Sequence, residues 1–234
     1  MFQKLAVDYR VIAFDARGHG KSGKPHDPKQ YGREMALDVV RLLDHLSIRK
    51  AHIVGYSMGA AITSQLLTLH PDRFLTATLG AAAGRFQWTD EDAKLAEQEA
   101  SEREKECVSR TLMFRLAPTN GPKPNEEAIN QRSAACLADA GQDRFAIAAV
   151  TRARRDTVIP PARAAAVMVP TLGIVGSLDG NLTGLQALQK MRPTLKLVVI
   201  DGASHSGDRG TMRRPEFVAA VREFISLNRG TASR

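Results

Sequence analysis

The sequence has few cysteines, few aromatic residues and no long hydrophobic stretch, and each absence excludes a class of protein. Two cysteines, Cys107 and Cys136, cannot staple a domain of this size, so we predict reduced thiols and a cytoplasmic location. No uninterrupted apolar run exceeds six residues, as at 164–169, which is too short to cross a bilayer. The first ten residues contain three charged side chains, unlike the apolar core of a signal peptide.

The charge balance is basic, but its distribution does not indicate nucleic-acid binding. The net charge is +8, from 33 basic and 25 acidic side chains. Aromatic residues make up only 5% of the chain, and no Lys/Arg run is interleaved with them. We therefore predict no nucleic-acid partner and no membrane partner. Hydrophobic residues at 43% and charged residues at 25% are ordinary values for a globular domain of 234 residues.

Short β-branched runs alternate with longer segments of helical spacing, which indicates a parallel sheet flanked by helices. We predict an α/β fold with a mostly parallel sheet of about five strands. The predicted strands are residues 10–15, 51–55, 74–79, 169–175 and 195–200. The predicted helices of this core are residues 31–46, 58–70, 182–191 and 215–227.

Residues 84–163 interrupt this alternation and show helical patterns only, at 89–106, 125–140 and 143–155. The first of these patterns is acidic, with eight acidic and three basic side chains. We predict a helical cap inserted at 84–163 into a core formed by residues 1–83 and 164–234.

The pentapeptide Gly55-Tyr56-Ser57-Met58-Gly59 matches G-x-S-x-G between a predicted strand and a predicted helix. This context indicates a nucleophile elbow, in which a sharp turn lifts the Ser57 hydroxyl clear of the sheet. We expect Gly55 and Gly59 to let the strand and helix approach closely, because neither has a Cβ. The alternative is an ordinary glycine-rich bend with a bystander serine.

A serine nucleophile needs a base, and His205 is the histidine that follows the last predicted strand. Asp179 follows the preceding strand, so both residues belong at the carboxyl edge of the sheet, with Ser57. The order Ser57, Asp179, His205 is that of one hydrolase superfamily. Asp179 could instead be an Asx-turn residue, and Asp201 is the next candidate for the acid.

The chain resembles the α/β-hydrolase superfamily, and most of all its small serine esterases and enol-lactone hydrolases. The resemblance rests on VIAFDARGHGKS (11–22), HIVGYSMGA (52–60), PTLGIVGSLDG (170–180) and DGASHSGD (201–208), together with the helical insertion. It implies Ser57 as nucleophile, His205 as base and Asp179 as acid. It also implies catalysis without a cofactor, and no cluster of side chains has metal-ligand spacing.

The first predicted strand of this sequence resembles a later strand of the family, since relatives normally carry further N-terminal strands and a His-Gly loop before it. The Met58 N–H is the oxyanion donor that remains, while the usual second donor belongs to that loop. We consider an N–H of the loop at 18–20 as a substitute for this second oxyanion donor. Without its usual neighbour, the strand at 10–15 must pair beside residues 52–54 or leave an apolar edge exposed, and an exposed edge favours a homo-oligomer.

Together these features predict a serine hydrolase that cleaves a small carboxylic ester or lactone through an acyl-enzyme. A non-catalytic or weakly catalytic small-molecule-binding protein on the same fold remains the alternative. Five apolar side chains of the insertion are candidates for the wall of an acyl pocket: Phe86, Trp88, Met113, Phe114 and Leu116.

Overall fold

A computed structural model describes residues 2–118 and 121–228, and its centre is a parallel sheet of four strands. The strands are β1 (Ala51–Tyr56), β2 (Phe74–Gly80), β3 (Thr171–Gly176) and β4 (Lys196–Ile200). They lie in the order β1-β2-β3-β4, and each neighbouring pair is parallel. Four of the five predicted strands are therefore confirmed, with their bounds moved by one or two residues.

Helices connect the strands and surround the sheet. They are α1 (Phe2–Leu5), α2 (Arg33–His45), α3 (Met58–Leu69), α4 (Asp90–Glu106), α5 (Arg110–Arg115), α6 (Glu126–Ala138), α7 (Arg144–Arg152), α8 (Pro161–Ala165), α9 (Leu182–Met191) and α10 (Pro215–Leu227). The predictions for α9 and α10 are confirmed to the residue, and α10 begins with the proline that favours a first helical position.

The sheet is covered on both faces, and every residue of β3 is accordingly buried. Leu172 and Ile174 of β3 pack against α10 in one hydrophobic cluster. Val175 points to the other face, because successive side chains alternate, and it packs with α9 in a second cluster. Helices α2 and α3 share a third cluster with the start of β2. These layers fix the carboxyl ends of all four strands along one edge.

The prediction of a strand at residues 10–15 is wrong. This segment is irregular, and its side chains Ile12 and Phe14 are exposed. An apolar run becomes a strand only if a neighbour accepts its backbone hydrogen bonds, and among the described residues β1 pairs with β2 alone. Residues 9–12 and β1 line a shared groove of about 430 Å³, and the Tyr9 ring packs edge-on against His52. Of the two alternatives for residues 10–15, pairing beside residues 52–54 or leaving an apolar edge exposed, the structure adopts the second.

Between β2 and β3 the chain forms five α-helices, α4 to α8, and no strand among the described residues. A Thr89–Asp92 capping box begins α4, and α4 packs along α7. The short helices α5 and α8 had no sequence signal long enough to predict them. The division into a core and a cap at 84 and 163 remains a prediction about domains.

The prediction of reduced thiols is wrong, because Cys107 and Cys136 form a disulfide. Cys107 follows α4 and Cys136 lies on α6, so residues 29 positions apart in sequence have Cα atoms 5.9 Å apart. The expected cytoplasmic location loses the support that it drew from free cysteines. In the part of the chain that the structure describes, no helix is both long enough and apolar enough to span a bilayer.

Candidate active site

Ser57 lies in a sharp turn between the end of β1 and the start of α3. Its φ of 53° and ψ of −113° fall in a region that residues with a side chain rarely adopt, at a cost of about 1–3 kcal/mol. Hydrogen bonds hold this conformation: the Ser57 N–H donates to the Gly80 carbonyl, and the Ser57 carbonyl accepts from the amides of Ala60 and Ala61. The backbone therefore presents the Ser57 side chain at the carboxyl edge of the sheet.

The two glycines of the motif have different roles. A Cβ on Gly55 would lie 2.1 Å from the Gly59 carbonyl oxygen and 2.5 Å from Thr63 Oγ1, so only glycine fits there. A Cβ on Gly59 would meet no atom within 4 Å outside its own helix backbone. The expectation that Gly59 also permits a close approach is wrong, because the crowding falls on its carbonyl group and its Cα faces open space.

Loops after β3 and β4 bring Asp179 and His205 to the turn at Ser57. His205 Nε2 lies 2.9 Å from Ser57 Oγ, and His205 Nδ1 lies 2.9 Å from Asp179 Oδ2. Asp179 and His205 are 3% and 6% exposed, so the contact between them is shielded from bulk water. The structure thus places the three predicted residues in one hydrogen-bonded chain. Ser57 and His205, which are in contact, lie 148 residues apart in the sequence.

Asp179 also makes the turn contact that was its alternative interpretation. Its Oδ1 accepts from the Asn181 N–H at 2.9 Å, while Oδ2 faces His205. The two interpretations therefore describe two oxygens of one carboxylate. The turn fixes the orientation of Asp179, and that orientation directs its other oxygen at the imidazole.

Two neighbours of His205 had no signal in the sequence. The Tyr56 hydroxyl donates to the His205 carbonyl, and its ring tilts against the imidazole with centroids 5.7 Å apart. Burial raises the pKa of Tyr56 to about 12, so the hydroxyl keeps its proton at neutral pH. Asn181 Nδ2 lies 3.3 Å from His205 Nδ1. Tyr56 occupies a variable position of the pentapeptide, and only the tertiary fold shows its role.

The competing acids point elsewhere. Asp201 is exposed and accepts a hydrogen bond from Ser177 Oγ at 3.1 Å. Asp208, another acid close to His205 in the sequence, is exposed and pairs with Arg213. Among the described residues, no group of three His, Cys, Asp or Glu side chains could hold a metal ion.

A cavity of about 750 Å³ opens beside Ser57, between the edge of the sheet and the helices that follow β2. Its size suits a small molecule. Of the five side chains predicted for its wall, Leu116 lines the cavity and the other four do not. The helical spacing of α5 explains part of this result: Leu112 and Leu116, four residues apart, face the cavity, whereas Phe114 is exposed.

The predicted oxyanion donor Met58 begins α3, where a helix leaves its amides without intrahelical partners. Met58 lines the same cavity as Ser57. In the loop considered as a second donor, the Gly18 N–H bonds to the Gly23 carbonyl and the His19 N–H to the Ala16 carbonyl. Neither of these two amides is therefore available to an oxyanion.

Solved structures resemble this fold over nearly its full length. A carboxylesterase structure from Nitrososphaera gargenis matches with a TM-score of 0.71 at 20% identity, over 98% of this chain and 84% of that one. An N-acyl homoserine lactone degrading enzyme matches with a TM-score of 0.66 at 26% identity, over 90% of this chain and 80% of that one.

Sequence relatives agree with these structures. The 3-oxoadipate enol-lactonase 1 of Acinetobacter baylyi is 31% identical in an alignment of 226 positions that covers 94% of this chain and 80% of that protein. An acetyltransferase component of the acetoin cleaving system of Pseudomonas putida is 44% identical over 80 residues. That match covers 34% of this chain and 21% of that protein, so the chain spans only about a fifth of this relative. A family model described as alpha/beta hydrolase fold matches residues 1–207, and the chain belongs to this family.

Proposed function

We propose that the protein hydrolyses a carboxylic ester or a lactone through an acyl-enzyme on Ser57. The observation that carries the proposal is the hydrogen-bonded chain from Ser57 Oγ through His205 to Asp179, with 2.9 Å at each step. Its nucleophile stands on a strained turn at the mouth of a cavity that can hold a small molecule.

In the acylation step, Ser57 Oγ attacks the carbonyl carbon while His205 Nε2 takes the hydroxyl proton. The Asp179 carboxylate stabilises the imidazolium that forms, and it fixes the tautomer with the proton on Nδ1. The Met58 N–H supports the negative charge on the carbonyl oxygen. Collapse of the tetrahedral intermediate breaks the bond to the leaving oxygen, which receives the proton from His205.

In the deacylation step, water attacks the acyl-enzyme and His205 takes its proton. The bond to Ser57 Oγ then breaks, Ser57 regains a proton from His205, and the acid is released. A lactone follows the same steps, except that the leaving hydroxyl stays attached to the acyl group. The hydrolase relatives, among them the enol-lactonase and the carboxylesterase, favour this chemistry and this class of substrate.

The experiment is hydrolysis of 4-nitrophenyl acetate and of a simple lactone by the protein and its variants. Ser57→Ala and His205→Ala should lower kcat by about 10⁴-fold or more, since the members of such a chain act as a unit. Asp179→Asn should lower kcat by about 10⁴-fold. The matched control is Asp201→Asn, the same change at a carboxylate that faces Ser177 and not His205. This variant should retain activity.

An active, folded Ser57→Ala protein would overturn the assignment of the nucleophile. An inactive Asp201→Asn protein with a near-normal Asp179→Asn protein would transfer the acid role to Asp201. Absence of turnover by the unmodified chain on both substrates would favour the non-catalytic binding protein instead.

A further inference from the structure

Four arginine side chains contribute to the wall of the cavity that holds Ser57. They come from separate elements around the cavity: Arg85, Arg103, Arg115 and Arg154. The acidic side chain that lines the same cavity is Asp139. Cations therefore outnumber anions on the wall that a substrate would contact.

Three of these arginines already have carboxylate partners. Arg85 pairs with Asp92 at 2.7 Å. Glu99 has no solvent exposure, and its two oxygens are divided between two arginines: Oε1 accepts from Arg115 at 2.9 Å and Oε2 accepts from Arg154. Both Glu99 oxygens are thus occupied by guanidinium groups.

Arg103 differs from the other three. Its Nε is fully buried and has no hydrogen-bond partner, and the described residues offer its side chain no ion pair. Burial, together with the nearby charge of Arg154, lowers the pKa of Arg103, although an arginine stays protonated in proteins. The charges of Glu99 and Glu102 act in the opposite direction on this pKa. Glu102 accepts its hydrogen bonds from Ser109 and Thr111, and neither glutamate accepts one from Arg103.

A guanidinium whose buried Nε–H has no acceptor is costly, because the lost hydration of that N–H is not replaced. A ligand that brings an acceptor anion into the cavity would replace it. A carboxylate fits this need, since its two oxygens match the planar N–H groups of a guanidinium and its single charge balances one unpaired cation.

We propose that Arg103 binds a carboxylate of the substrate, so that the preferred esters or lactones carry a free carboxylate besides the bond that is cleaved. This inference rests on the proposed function of Ser57 and specifies its substrate class. Arg103 would act as a specificity-determining residue, and the cleaved bond would lie at Ser57 in the same cavity.

The test compares two esters of equal acyl length, mono-4-nitrophenyl glutarate and its methyl-capped form, 4-nitrophenyl methyl glutarate. The unmodified chain should show a kcat/KM about tenfold or more higher for the charged ester, the size of one charge-assisted hydrogen bond. Arg103→Met should bring this ratio close to one, because methionine keeps an apolar stem of similar length without the charge. Arg103→Lys should retain part of the preference.

The matched control is Arg132→Met, which removes the same charge from an exposed position on α6 that does not line the cavity. Its ratio should equal that of the unmodified chain, which separates local binding from the general field of the protein. The thermal midpoint of Arg103→Met should be equal or higher in the absence of ligand, because an unpaired buried charge is removed. If Arg103 had a merely structural role, Arg103→Met would lower that midpoint. The folded fraction of the variant would then keep the kcat/KM ratio of the unmodified chain for the two esters.

A second arm separates failure of this inference from failure of the proposed function. If the unmodified chain cleaves both esters with a ratio near one, the carboxylate site is overturned and the hydrolase proposal stands. If it cleaves neither ester, the hydrolase proposal fails. Calorimetric measurement of glutarate binding then decides whether Arg103 binds a carboxylate. Glutarate affinity about tenfold weaker in Arg103→Met supports the site, and equal affinity or no binding to either protein overturns it.

Discussion

Single residues show how far sequence patterns reach into the candidate site. Ser57, Asp179 and His205 were predictable because each follows a strand, and the carboxyl ends of parallel strands meet at one edge. Arg103 and Tyr56 were not predictable. Tyr56 matters because the tertiary fold places it against His205, and Arg103 because the fold leaves its Nε without an acceptor. No local sequence pattern at either position predicts these contacts.

Gly55 and Gly59 offer a matched pair of substitutions at the residue scale. Gly55→Ala should lower the free energy of unfolding by about 3 kcal/mol or more, because its Cβ would overlap backbone atoms that cannot move independently. Gly59→Ala should keep or raise stability, by up to about 1 kcal/mol, because alanine favours the helix and its Cβ meets open space. Urea unfolding of both variants measures this difference, and equal destabilisation would contradict the geometry of the turn.

At the scale of elements, most helices and strands of the core were predictable from periodicity and from proline and glycine boundaries. The acidic pattern at 89–106 also indicated a helix, but not its partners. In the structure, Arg152 of α7 contacts Glu97 at 2.7 Å and also pairs with Glu104, which lies about two helical turns further along α4. These partners lie 55 and 48 residues from Arg152, a separation that local spacing cannot report.

The pairing of α4 with α7 predicts a dependence of stability on pH. Arg152 holds the pKa values of Glu97 and Glu104 below their ordinary value of 4.5. A pKa depressed in the folded state adds stability above the unfolded pKa, and that stability is lost as the pH falls through the folded pKa. Arg152→Met should therefore destabilise by about 1 kcal/mol at pH 7, as expected for partly exposed pairs, and the difference should vanish in acid.

Thermal or urea unfolding of both proteins between pH 7 and pH 3 measures this dependence. Arg132→Met is again the control, because it removes an exposed cation that has no such partners among the described residues. A difference between Arg152→Met and the unmodified chain that stays constant into acid would show that Arg152 stabilises by packing rather than by its charge.

At the scale of the whole molecule, the fold class was predictable because the alternation of strands and helices is a property of the entire chain. The strand at 10–15 was the exception, since strand formation needs a partner and the sequence of one segment does not state whether a partner is present. The disulfide was missed for a similar reason, because the contact between the end of α4 and α6 arises only in the folded chain. Self-association through the free edge of β1 remains a prediction.

The arrangement of layers explains where the candidate chemistry lies. The sheet brings Ser57, Asp179 and His205 to one edge, and the helices after β2 complete a cavity over that edge. The sheet therefore positions the candidate catalytic side chains, while the helices supply most of the wall, including Arg103. This division explains why sequence motifs were enough to propose a reaction class, whereas the proposed substrate class needed the tertiary structure.

The central claim is that Ser57 is a nucleophile activated by His205, and covalent trapping tests it most directly. An ethyl 4-nitrophenyl alkylphosphonate should phosphonylate Ser57 Oγ with release of 4-nitrophenolate, and intact-protein mass spectrometry should show one adduct per chain. Peptide mapping should place the adduct on Ser57, Ser57→Ala should show none, and His205→Ala should react more slowly by about 10³-fold or more. Equal labelling of the Ser57→Ala protein, or an adduct on another residue of the unmodified chain, would contradict the account.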